Sequence, residues 1–168
     1  MIEFISKKSG SSHLILFIHG FTGGEDTWCN GNGSSFPELL SGDDQIAVKY
    51  DIAQFTYFTK LTNFYAKVGN TSKLIKKLFS TSHEKLRKNS SIEEISNLLR
   101  TEIRVRLEDY DSLIVIAHSM GGLVTKSAIV KDLKEESLSK VKLFISLAVP
   151  HQGATLASYG SLISKNIQ

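Results

Sequence analysis

Ser119 stands in Ala117-His118-Ser119-Met120-Gly121-Gly122, behind the apolar run Ser112 to Ala117 and ahead of a helical pattern. A serine carried by a strand onto a tight turn, with a helix starting at once behind it, is the sequence form of a nucleophile elbow. Such a turn demands small residues two places either side of the serine, because strand and helix backbones come close there. Ala117 and Gly121 meet the demand, with Ala where Gly is commoner. The turn lifts the hydroxyl above the sheet edge. It also aims helix N–H groups, and the positive end of the helix dipole, at a reacting carbonyl. The chemistry this serves is attack of the serine on an acyl group through a covalent acyl-enzyme. A small-x-Ser-x-Gly pattern alone is common; the strand before it and the helix after it give it weight.

About a hundred residues earlier, His13 to Ile18 reads as a buried strand: a short β-rich apolar run bounded by a Gly/Ser cluster and by His19-Gly20. It runs straight into His19-Gly20-Phe21-Thr22-Gly23-Gly24. Acyl transfer needs N–H donors for the oxyanion of the tetrahedral intermediate, and a glycine-rich loop lets the main chain come close enough to supply one. The two donors are assigned to the N–H groups of Phe21 and Met120, with Gly20 and Gly121 as supporting positions. His19 and His118, immediately ahead of these two elements, read as loop braces rather than bases.

With these stretches in place, the chain resembles the α/β-hydrolase superfamily, and within it the lipase-like serine esterases that include GPI inositol-deacylase-like proteins. The resemblance rests on His19 to Gly24 with Trp28 following, on Ala117 to Gly122, and on Val149-Pro150-His151-Gln152-Gly153. The last is similar to the Pro-His-x-Gly segment such esterases carry after the sixth strand. The resemblance covers about residues 13 to 155. It implies an α/β fold with a mostly parallel sheet flanked by helices, and a serine carboxylester hydrolase working through Ser119 on ester or lipid acyl substrates. The alternative is a hydrolase-like module that acts by binding, as the sensor or effector part of a larger multidomain protein.

The elements that must position these residues alternate strand and helix. Ile2 to Ile5 suggests a first strand. Phe36-Pro37-Glu38-Leu39-Leu40 looks like a helix start, with Pro at an allowed first-turn position. Gln45 to Ile52 reads as a strand. Ser91-Ile92-Glu93-Glu94 has capping-box spacing, and Ile92, Ile95, Leu99, Ile103 and Leu107 follow the helical period. Ser112 to Ala117 and Val141 to Leu147 read as buried strands, with a helix from Gly122 to Leu133 between them. Strand–helix–strand units with short loops give a parallel sheet, whose sites lie at the carboxyl ends of its strands.

Length and composition fit one domain over residues 1–168. With 41% hydrophobic and 22% charged residues, the chain can bury a real core. The single cysteine, Cys29, excludes an intramolecular disulfide. The five histidines do not pair at metal-ligand spacing with each other or with Cys29, and Gly20 to Gly24 lacks the Lys and Ser/Thr of a phosphate-binding loop. Neither metal nor cofactor is therefore expected. Met1 to Lys8 lacks the long apolar stretch of a signal peptide, and no run approaches a membrane span. The expected location is the cytoplasm, or the periphery of a membrane.

Residues 60 to 88 hold eight Lys/Arg against one acid, Glu84, a local net of +7 in a chain of net +3. Leu61, Phe64, Tyr65 and Val68 recur at helical spacing, as do Leu74, Ile75, Leu78 and Phe79. The plainer reading, which is favoured, is a surface helix region with solvated lysines. The sharper one is an inserted cap, over about residues 55–90, that meets an anionic membrane surface. Nucleic acid is not an expected partner, because no recognition motif accompanies the charge.

A serine hydrolase of this kind supplies its groups in the order Ser, Asp or Glu, His. Asp132, Glu135 and Glu136 fall at the far end of the helix behind Ser119, and Asp109 and Asp111 precede the serine's own strand. His151 is the only later histidine; it follows the adjacent strand and reads as a loop-bracing or pocket-lining residue rather than the base. The expectation is that the triad acid and histidine lie beyond Gln168, in a longer chain with other domains, and that residues 1–168 alone are inactive or nearly so.

Overall fold

The computed structural model describes residues 1–8, 10–20, 25–57 and 92–151. The basic segment at 60–88, Phe21 and the Gly-rich run after it, Ser91 and residues 152–168 lie outside the described residues, and with them the cap, the capping box and the end of the Pro-His-x-Gly segment. Five strands, β1 (Ile2–Ser6), β2 (His13–Ile18), β3 (Asp51–Phe55), β4 (Ser112–His118) and β5 (Val141–Leu147), form one sheet. Its order is β1-β3-β2-β4-β5, with β1 antiparallel to β3 and every other pair parallel. Helices α1 (Phe36–Ser41), α2 (Asp44–Lys49), α3 (Ile92–Arg106) and α4 (Met120–Glu135), with a single 3-10 turn at Glu25–Trp28, complete the described elements.

Strand β2 is apolar at every position after His13 because both of its faces are covered. Leu14, Leu16 and Ile18 pack on one side with Ile95, Leu99 and Ile103 of α3 and Val124 and Ala128 of α4. Ile15 and Phe17 face the other way, against Trp28, Ile52 and Ile116. The stripe on α3 is used largely as its period predicts: Ile95, Leu99 and Ile103 are buried, as is Leu107 just past the helix, while Ile92 stays at the rim. Arg100 of α3 reaches Asp132 and Glu135 near the end of α4, and Arg104 pairs with Glu136.

Three expectations are corrected. Residues 44–49 are a helix, not the start of a strand, because Asp43 Oδ1 accepts from the N–H groups of Gln45 and Ile46, each at 3.0 Å, and so caps α2. The strand begins only at Asp51. The helix behind Ser119 begins at Met120, two residues earlier than its apolar pattern suggests, and runs to Glu135. Strand β5 forms as expected but is not buried. It is the last strand of the sheet among the described residues, and Leu143, Ile145 and Leu147 are 49%, 38% and 39% exposed on one face.

The register aligns the carboxyl ends. Ile18 pairs with both Phe55 and Ala117, and His118 pairs with Leu147. The chain therefore leaves β2, β3, β4 and β5 along one edge, at His19, Thr56, Ser119 and Ala148. At the opposite edge Asp51 is buried, accepting from the N–H of Lys8 at 2.7 Å and from the hydroxyl of Tyr110. Burial beside this carboxylate pushes the Tyr110 hydroxyl well above its ordinary range.

Candidate functional site

Ser119 occupies the turn between β4 and α4 with φ 52° and ψ −124°. A side chain in this region costs on the order of 1–3 kcal/mol, and such strain persists only where the surroundings enforce it. Here they do. The Ser119 N–H donates to the carbonyl of Leu147 at 2.9 Å, tying the turn to the neighbouring strand, and the Gly122 N–H donates to the Ser119 carbonyl at 3.0 Å. Although Ser119 is the N-cap of α4, its side chain does not cap the helix. The hydroxyl is thus not consumed by the task that serine usually performs at this position. Met120, as the first helical residue, has an N–H with no carbonyl partner inside α4.

The strain has a measurable consequence. Replacing Ser119 by Gly removes the Cβ that makes φ 52° costly, so Ser119→Gly is expected to raise stability by about 1 kcal/mol after the entropy cost of Gly is subtracted. For a domain of this size that is a rise of roughly 2–4 °C in melting temperature. Ser119→Ala, which keeps the Cβ, should show no such gain. A lower melting temperature for the Gly variant than for the Ala variant would contradict the strain argument.

The loop after β2 comes directly against this turn. A Cβ on Gly20 would lie 2.9 Å from the Ser119 Cβ and 3.2 Å from His118 Nδ1. Gly121 is closer still to its neighbours: a Cβ there would lie 2.3 Å from the His19 carbonyl oxygen and 2.8 Å from that of Ile18. The crowding that requires glycine two residues after the serine therefore comes from the end of β2, not from the serine's own strand. Gly122 faces Val149 beyond β5 at a similarly short distance, 2.2 Å from a Cγ.

His19 is buried and fully engaged. Its Nδ1 lies 2.7 Å from the Gly20 carbonyl oxygen, its Nε2 accepts from the Tyr57 N–H at 3.3 Å, and its carbonyl accepts from the Tyr57 hydroxyl at 2.8 Å. Burial holds the imidazole below its usual pKa; the Gly20 bond opposes this and the chain's N-terminal charge adds to it. His118 is half-buried, edge-on to Trp28 at 6.5 Å between ring centroids. His151 is exposed; its Nε2 lies 3.1 Å from Ser146 Oγ, and Ser146 pairs with Ala117 across β4 and β5.

Asp51 and Asp132 do not lie at this edge. Asp51 pairs with Leu14, four residues before the row of Ile18 and Phe55, so it sits roughly 13 Å away along the strands. Asp132 is twelve residues into α4, about 18 Å along the helix axis. Tyr57 was not legible as a site residue, because the misplaced strand at 45–52 left no reason to look just past Phe55. Ala148, at φ 50° directly after β5, is a second strained residue on the same edge with no sequence signal.

A family model described as the PGAP1-like alpha/beta domain matches residues 9–166. The chain belongs to this family. Its fold is that of the α/β-hydrolase superfamily. Among solved structures, the lipase BlEst2 of Bacillus licheniformis in mature form is similar with a TM-score of 0.54 and 16% identity, over 96% of this chain and 51% of the lipase. YbtT, a type II thioesterase from the yersiniabactin NRPS/PKS pathway, matches with a TM-score of 0.47 and 16% identity, over 87% of this chain and 47% of its own. The PGAP1-like chain thus spans about half the length of each of these two structures. No curated protein matches the sequence. Among the described residues, no helix of the PGAP1-like domain is long and apolar enough to cross a membrane.

Proposed function

We propose that this PGAP1-like domain belongs to a serine carboxylester hydrolase acting on ester or lipid acyl groups. Ser119 Oγ attacks the acyl carbon, forming a C–O bond while the carbonyl electrons move onto oxygen and the hydroxyl proton is released to be passed to the departing alkoxide. Collapse of that intermediate expels the alcohol, which takes up a proton, and water then releases the acid from the acyl-enzyme. The main-chain N–H of Met120, at the N-terminus of α4, serves as one oxyanion donor, and the N–H of Phe21 is the second from the sequence pattern. The observation that carries this is the strained Ser119 at a strand–helix turn, its hydroxyl unspent on capping and the Gly20 backbone in contact beside it. A structural serine has no need of that strain. Likeness to a lipase fold supports the choice of acyl esters.

The test is hydrolysis of acyl esters of graded chain length by the complete protein. Acid release above the uncatalysed rate, with the alcohol appearing first when the acyl-enzyme accumulates, is the expected result. No turnover of any ester, thioester or lipid acyl substrate would oppose it.

A further inference from the structure

Tyr57 lies two residues past β3 and makes three contacts with His19 at once. Its ring stacks on the imidazole at 4.4 Å between centroids and 11° between planes. Its hydroxyl donates to the His19 carbonyl at 2.8 Å, and its N–H donates to His19 Nε2 at 3.3 Å. Donor and acceptor types then fix the imidazole. A backbone N–H can only donate, so Nε2 carries a lone pair; a carbonyl can only accept, so Nδ1, 2.7 Å from the Gly20 oxygen, carries the proton. With the proton on Nε2 instead, two acceptors would face each other at Gly20 and two donors at Tyr57.

We propose that Tyr57 is a positioning residue of this site: it locks His19 as the neutral Nδ1–H tautomer, and His19 in turn pins the Gly20 peptide against Ser119. The consequence for chemistry follows from covalent geometry. The Gly20 carbonyl is part of a planar peptide unit, so holding its oxygen fixes how the Gly20 end of that unit is turned. A Cβ on Gly20 would lie 2.9 Å from the Ser119 Cβ, so the Gly20 backbone runs close beside the serine. Burial of the imidazole and of the Tyr57 hydroxyl, which is pushed well above its ordinary range, keeps both groups neutral and the lock intact around pH 7. The catalytic consequence rests on the reading of Ser119 given above; the lock itself does not.

The test uses Tyr57→Phe, which loses one hydrogen bond and keeps the stack, and Tyr57→Leu, which loses both, in the complete protein. With a short-chain p-nitrophenyl ester, kcat is expected to fall about 3- to 10-fold for Tyr57→Phe and further for Tyr57→Leu, with KM unchanged within about twofold. In long-range proton–nitrogen NMR spectra, wild-type His19 should show only the neutral Nδ1–H form near pH 7, and both variants should keep it, because the residue-57 N–H and the Gly20 carbonyl that fix the tautomer are main-chain groups. If Tyr57→Leu does not fold, Tyr57→Phe still reports on both measurements. Wild-type kcat in the variants, or a wild-type His19 that is charged or protonated on Nε2, overturns the proposal. A locked His19 in a protein that turns over no ester supports the lock and defeats the reading of Ser119.

Discussion

Gly121→Ala is expected to destabilise the domain by about 3 kcal/mol or more, a drop of roughly 6–12 °C in melting temperature for a domain of this size. The added methyl would lie 2.3 Å from the His19 carbonyl oxygen and 2.8 Å from the Ile18 carbonyl oxygen. The Ile18 carbonyl ends β2 and the His19 carbonyl follows it directly; β2 is hydrogen-bonded to β3 and β4 on its two sides up to Ile18 and cannot step aside. Relief requires α4 to move off the sheet, which would open the contacts that Val124 and Ala128 make in the core. Gly122→Ala is the informative control. Its nearest neighbours are side-chain atoms of Val149, on the segment after β5, so the cost should be smaller. Thermal denaturation of both variants checks the ranking. A Gly121→Ala protein as stable as wild type would mean that β2 and α4 are not packed as described.

Ser119→Ala is expected to lower ester turnover by at least about 10³-fold while leaving the melting temperature nearly unchanged. The loss is large because no neighbouring group can replace a hydroxyl that must form the covalent bond to the acyl carbon. The fold should tolerate the change because the hydroxyl makes no capping bond and the Cβ is retained. Kinetics and melting curves on the same preparations separate the two effects. Equal loss of activity and stability would point to a structural serine.

The strands that are covered on both faces were the most legible part of the fold. His13 to Ile18 and Ser112 to Ala117 are apolar runs too short for helices, and they form β2 and β4 with at most one residue added. Gln45 to Ile52 misled because Ile46, Val48, Tyr50 and Ile52 alternate as a strand does, yet the Asp43 cap turns the first part into a helix and leaves Val48 exposed. Periodicity alone does not register a single capping side chain. Strand β5 shows the converse: its composition reads as buried, but burial is decided by what pairs beyond it, and composition carries no information about that.

For the site, the pattern around Ser119 indicated the strand, the turn and the helix, but not what presses on Gly121. That contact joins residues about a hundred positions apart, and no local spacing encodes it. Tyr57 was missed for the same reason. Its partner His19 is 38 positions away, and the pairing depends on β3 lying beside β2 in one register.

The central claim, that Ser119 is a reactive nucleophile, is tested most directly by treating the complete protein with a fluorophosphonate probe and mapping the adduct by peptide mass spectrometry. An adduct on Ser119 in wild type, and none in Ser119→Ala, is the predicted result. A complete, folded protein that takes up no probe, or that is labelled equally at another residue in both proteins, would contradict it.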